Sequence, residues 1–111
     1  MVARLTSRML IDSLIRAAQG AGGHATVLAR GDDSAGAILV ECADRGQAGP
    51  LLERILDRDG GYAWARCGPQ DIENKEERAA YIARRRARDP DLWLVELDIA
   101  QAERFAAETI Q

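Results

Sequence analysis

The side chains best placed to do chemistry together are Arg78, Tyr81, Arg84, Arg85 and Arg88, which recur at helical spacing in KEERAAYIARRRAR, residues 75–88. At 3.6 residues per turn they share one arc. Ala79, Ala80, Ile82, Ala83 and Ala87 take the other, with Arg86 at its edge, beside any carboxylate there. Guanidinium forks clasp phosphates with paired hydrogen bonds, and a tyrosine ring among them stacks on a base. The set therefore offers a binding surface for a phosphate ligand or a nucleic acid. The competing reading is a solvated helix face whose arginines pair with carboxylates of the same molecule. Lys75, Arg78, Arg84, Arg85, Arg86 and Arg88 oppose only Glu76 and Glu77 in this window, which carries +4 on a chain of net −3. The remainder is thus acidic enough to supply such partners, and nucleic acid is the less favoured ligand.

Other reactive residue types lack a supporting pattern. His24 is the only histidine. Zinc catalysis uses three protein ligands, and His24 with the distant Cys42 and Cys67 is a poor basis for them. No metal ligand set and no cofactor is assigned. Glu41, Glu96 and Asp98 lie on or beside strands. As neighbours in one sheet they would serve as acid and base; otherwise they face water or meet the arginines. Asp32 and Asp33 read as turn formers without the further oxygen ligands of a calcium loop. Gly20-Ala21-Gly22-Gly23 lacks the Gly-Lys-Ser/Thr ending of a phosphate loop and follows a helix. Ser7, Ser13 and Ser34 have no nucleophile-elbow context. No catalytic residue is assigned, and the balance is against an enzyme.

Behind these residues stand elements that must position them. Residues 6–19 read as a helix, with Leu10, Leu14, Ala17 and Ala18 on one face and Thr6 or Ser7 as cap. His24–Arg30 and Gly36–Cys42 read as two strands. The loop of Gly31 to Ala35 is expected to join them as an antiparallel hairpin. Asp44 to Pro50 reads as a polar loop. Leu51–Arg58 fits either element and is taken as a strand, because Asp59-Gly60-Gly61 reads as a hairpin turn after it. Tyr62–Cys67 alternates as a strand, with Tyr62, Trp64 and Arg66 on one face. Asn74 and Glu77 have capping-box spacing at the start of the basic helix. Pro90 ends that helix by disfavouring helical geometry at Asp89. Its alanine face is expected to sit on the sheet. Leu92–Asp98 reads as a strand and 100–109 as a terminal helix.

The order α-β-β-β-β-α-β-α predicts an α+β domain: a mostly antiparallel sheet of about five strands with helices packed on one face. At 111 residues with 47% apolar content, the chain 1–111 is expected to form one small domain. The apolar run near the N-terminus is broken by Asp12 and Arg16, so it is neither a leader nor a membrane span. With two cysteines in no redox or zinc spacing, a cytoplasmic protein with reduced thiols is expected.

Four segments carry a resemblance. They are Arg30-Gly31-Asp32 with Ala35-Gly36-Ala37-Ile38-Leu39-Val40, Tyr81-Ile82-Ala83-Arg84 leading to Arg86, Asp89-Pro90-Asp91-Leu92-Trp93-Leu94-Val95-Glu96, and Leu14-Ile15-Arg16. Together they resemble a family of small alphaproteobacterial proteins known as domain of unknown function 1491. Arg88 stands where that family often has an aromatic residue, and Leu10 where it often has tryptophan. The resemblance implies a single cytoplasmic domain and brings no activity with it. The functional expectation is a non-catalytic binding or protein-interaction module. A homodimer, through a sheet edge or the Tyr62/Trp64 face, or another protein is its company, and no membrane is involved. Phosphate or nucleic-acid binding through helix 75–88 is the alternative, and an enzyme with a carboxylate or histidine site comes second to it.

Overall fold

The computed structural model describes residues 5–110, so the two ends of the expected domain lie outside them. The elements run α1 (Ser7–Gly20), β1 (His24–Ala29), β2 (Ile38–Asp44), β3 (Gln47–Leu56), β4 (Tyr62–Cys67), α2 (Lys75–Arg88), β5 (Trp93–Asp98) and α3 (Ala102–Thr109). This is an α+β fold in the expected order. Its five strands form one sheet, β1-β5-β2-β3-β4. Three of the strand pairs are antiparallel and one, β2 with β5, is parallel.

The expected β1–β2 hairpin does not form, because β5 lies between the two strands and bonds to both. The connection from Arg30 to Ala37 must then cross two strand spacings, about 10 Å. It does so as a compact loop folded onto the start of β5. The Asp32 side chain accepts from the Ser34 and Ala35 backbone N–H groups at 3.2 and 2.9 Å. Its backbone N–H donates to the Asp91 carbonyl at 2.9 Å, and its own carbonyl accepts from Trp93 Nε1 at 2.7 Å. A Cβ on Gly31 or Gly36 would collide with the Asp91 carbonyl oxygen, so only glycine permits this approach. The Arg-Gly-Asp and Asp-Pro-Asp-Leu-Trp segments are thus two halves of one joint.

Residues 44–50 are a second correction: Asp44 ends β2 and residues 47–50 open β3, so only a two-residue turn is left where a polar loop was expected. Arg45 and Gly46, at φ 51° and 80°, make a two-residue turn between β2 and β3. The Asp98 carboxylate holds that turn by accepting from both backbone N–H groups, at 2.7 and 3.0 Å. Gly49 and Pro50 look like strand breakers, yet they sit where the β2–β3 register slips between Glu41/Leu51 and Ala43/Ala48. A bulge there leaves ladder positions that need no N–H from proline. Leu51–Leu56 is strand, as taken.

Helices cover both faces of the sheet, not one. On the first face α1 and α3 bury Leu10, Leu14 and Ala106 against Val40, Leu52, Trp93, Val95 and Leu97. On the second, Ile82 of α2 packs over Leu39, Leu51, Leu92 and Leu94. Topology requires this split. Strands β4 and β5 run parallel, so the chain between them must cross over the sheet, and α2 is that crossover.

Candidate functional site

Helix α2 starts and ends as its sequence predicts. Asn74 Oδ1 accepts from the Glu77 N–H at 3.0 Å, and its amide donates to Glu77 Oε2 at 3.2 Å. Asp89 leaves helical geometry just before Pro90. What differs is the face presented to the sheet. Arg78 and Ile82 are buried and Tyr81 and Arg85 half-buried, whereas Ala79, Ala80, Ala83 and Ala87 are exposed. The alanine arc therefore does not seat the helix. The reason lies in the sheet below, where Leu39, Leu51 and Leu94 alternate with Glu41, Glu53 and Glu96. Of these carboxylates Glu53 draws Arg85 inward, while the Gly49 carbonyl takes Arg78, so the helix is seated through arginines.

The five arginine-arc residues consequently divide. Arg85 Nη2 donates to Glu53 Oε2 at 2.7 Å, and its Nη1 donates to the Tyr81 hydroxyl at 2.8 Å. Burial works against the Arg85 charge, but the hydrogen bonds to Glu53 and Tyr81 outweigh it and hold its pKa above the usual value. Arg78, only 8% exposed, donates from Nη2 to the Gly49 carbonyl at 2.6 Å. Among the described residues its other guanidinium nitrogens have no hydrogen-bond partner. Arg84 and Arg88 are exposed on the outer side.

Between α2 and strands β2 and β5 opens a cleft of about 500 Å³. Its floor carries Glu41 and Glu96, which the parallel register sets side by side. Arg78 forms one wall, Lys75 and Arg86 stand at the rim, and Ala79, Ile82, Ala83 and Leu94 supply apolar lining. Neither floor carboxylate makes a hydrogen bond or an ion pair within 4.0 Å among the described residues. Arg86, expected beside a carboxylate, thus faces two of them unpaired. Burial raises the Glu41 pKa; nearby Arg78 opposes the rise and Glu96 adds to it. The adjacency that the sequence left open for the strand carboxylates is found for this pair. The part played by Lys75 had no sequence signal, because it follows from where the helix start lands.

The remaining candidates lie elsewhere. His24 is exposed at the sheet edge opposite Asp98, and Asp98 is engaged by the β2–β3 turn. Ser7 Oγ donates to the Gly36 carbonyl at 2.6 Å, and Asp33 pairs with Arg30 at 3.2 Å. Cys42 and Cys67 are free thiols that pack in different clusters on opposite faces of the sheet. Burial, with a smaller push from Glu103, raises the Cys42 thiol to about 12. Among the described residues no group of three or more His, Cys, Asp or Glu is disposed to hold a metal ion, and no helix is long and apolar enough to cross a membrane. The Tyr62/Trp64 face is not open. Trp64 packs against the α1/α3 cluster and donates from Nε1 to the Ile110 carbonyl at 2.7 Å, while Arg54 lies over the Tyr62 ring at 3.8 Å. The two sheet edges are β1, which exposes Val27 and Leu28, and β4.

With this geometry established, the comparisons agree with one another. The model of the DUF1491 family, described as a protein of unknown function, matches residues 5–107, and the chain belongs to that family. A crystal structure of a DUF1491 family protein from Caulobacter crescentus CB15 superposes with a TM-score of 0.78 at 32% identity, covering 92% of this chain and 94% of the other. An NMR structure of a DUF1491 family protein from the same organism gives 0.76 at 31%, with 94% of each chain covered. Protein Atu0922 from A. tumefaciens gives 0.68 at 30%, with 86% of each covered. No curated protein matches the chain.

Proposed function

We propose that this chain is a non-catalytic binding module whose ligand site is the cleft between α2 and strands β2 and β5. The observation that carries the reading is the state of the cleft's polar groups. Among the described residues, two floor carboxylates and most of a nearly buried guanidinium lack hydrogen-bond partners, inside a mainly apolar hollow of about 500 Å³. Small-molecule sites combine such volumes and apolar walls with a few convergent polar groups. None of these atoms is sealed from solvent, so each stands open to a ligand that would take the place of water there. A cytoplasmic location goes with this reading, supported by two thiols that are free.

The test is a small-molecule screen against the isotope-labelled protein by heteronuclear NMR, repeated on Ala83→Trp, which fills the cleft from its exposed wall. Hits should shift resonances of β2, β5 and α2 and be lost in the variant, with its urea midpoint little changed. Hits that map elsewhere, or persist in the variant, overturn the reading.

A second reading keeps the polyanion surface of Arg78, Tyr81, Arg84, Arg85 and Arg88. The exposure of Arg84 and Arg88 favours it. The engagement of Arg85 and Tyr81 with Glu53 reduces it to a smaller surface. Salt-dependent binding of an oligonucleotide, lost in Arg84→Ala/Arg88→Ala, would put this reading first. Absence of binding at low salt removes it.

A further inference from the structure

We propose that the ligand of the α2 cleft is a small amphoteric molecule. Its ammonium end would rest on Glu41 and Glu96, and its anionic end would be held by Arg78 with Lys75 and Arg86. This rests on the cleft being the binding site. It adds the chemical class of the occupant.

The argument begins with the floor. Neighbouring strands lie about 4.8 Å apart, so registered Glu41 and Glu96 present two carboxylates close together on one face. Like charges at that spacing repel, and the partial burial of Glu41 sharpens the repulsion. Here three basic residues line the same cleft, yet none closes to 4.0 Å. Arg78 is directed instead to the Gly49 carbonyl. The floor thus feels the charge of Arg78 from the wall, yet among the described residues it has no basic group in direct contact, which leaves that place to a cation of the ligand. An ammonium group, with three donors, can bridge both carboxylates.

The wall and rim ask for the opposite charge. Arg78 is more than nine-tenths buried and uses one nitrogen for the Gly49 carbonyl. Its remaining N–H groups lie between this cleft and an adjoining hollow of about 460 Å³ beside Cys67 and Gly68. Lys75 and Arg86 are exposed at the entrance. A lone anion would meet these donors but also the two floor carboxylates. A lone amine would meet the floor but also three cations. Only a molecule carrying both charges, joined by a short chain lying along Ala79, Ala83 and Leu94, satisfies both ends.

The experiment titrates the labelled protein at low salt with three probes of equal length: 6-aminohexanoate, hexylamine and hexanoate. The expected result is that 6-aminohexanoate shifts cleft resonances at the lowest concentration. Glu96→Gln should weaken it and hexylamine about tenfold, as loss of a charged hydrogen-bond partner would. Lys75→Ala/Arg86→Ala should weaken 6-aminohexanoate and hexanoate but not hexylamine. If hexanoate binds as tightly as 6-aminohexanoate and Glu96→Gln tightens both, the cleft is a simple anion site. That outcome overturns the amphoteric class and leaves the binding-module reading standing. If no probe at tens of millimolar shifts a cleft resonance, the amphoteric class falls, and the broader screen decides the module reading separately. Urea midpoints separate lost binding from lost folding: that of Lys75→Ala/Arg86→Ala should lie near the parent's, because both side chains are exposed, and that of Glu96→Gln at or above it, because the change relieves the repulsion with Glu41.

Discussion

At the scale of single residues, the second face of the sheet is governed by which carboxylates have partners. Glu53 has Arg85, and both side chains are mostly shielded, at 29% and 26% exposure. A charged hydrogen bond in that setting is stronger than a surface ion pair. A double-mutant cycle with Glu53→Gln and Arg85→Ala should give a coupling of about 1–2 kcal/mol. A value indistinguishable from zero would mean that the pair does not hold α2. Among the described residues Glu41 has no such partner, and burial raises its pKa above 4.5. The folded protein therefore keeps this proton to higher pH than the unfolded chain does. Stability from Glu41 is complete below the unfolded pKa and declines as pH rises through the folded one. Glu41→Gln removes that decline, so the variant should resist urea better than the parent at pH 7. The advantage should shrink towards pH 4, and loss of stability at pH 7 would show that Arg78 already compensates the charge.

At the scale of elements, the joint between the β1–β2 loop and the start of β5 holds the sheet's unusual strand order. Gly36→Ala would press a methyl group against the Asp91 and Asp32 carbonyl oxygens and the Trp93 ring. Backbone cannot move aside as a flexible side chain can. The expected cost is about 1–3 kcal/mol, read as a lower urea midpoint with unchanged far-ultraviolet circular dichroism. A neutral result would mean that the loop yields. The same joint explains what could be read from the sequence. The element types follow from local pattern: alternation in Tyr62–Cys67, the Asn74–Glu77 cap and the Asp-Pro stop are all present. The pairing of β5 between β1 and β2 is not local. The glycines that permit it sit about 60 residues from the Asp91 carbonyl they approach, and look like ordinary turn residues. The site was half legible for the same reason. Glu41 and Glu96 stand out as strand carboxylates, but their adjacency needs the parallel register. The seating of α2 on arginines rather than alanines needs Glu53 and the Gly49 carbonyl beneath it.

At the scale of the molecule, β5 is the strand on which everything else depends, although it comes near the end of the chain. It bonds to β1 on one side and β2 on the other. It supplies Trp93, Val95 and Leu97 to the α1/α3 core and Leu94 to the α2 core. Without it, β1 has no partner strand among the described residues and α1 has no complete sheet to close against. What would remain is the β2–β3–β4 meander, with Val40 and Leu52 uncovered on one face and Leu39 and Leu51 on the other. That is too little buried surface for a domain of this size to offset chain entropy. A chain ended at Asp89 should therefore be unfolded throughout, not merely short of one strand and one helix. Its NMR spectrum should show collapsed amide dispersion. Adding a peptide of residues 90–111 in excess should restore the dispersed spectrum, because the missing strand supplies the pairing on which β1 and β2 both depend. A shortened chain that keeps native dispersion for β2, β3 and β4 would show that the meander folds alone and that β5 joins a sheet already made. The first outcome also predicts slow folding for a protein this small, since the pairing of β1 with β5 must close a loop of about 70 residues before either core is complete.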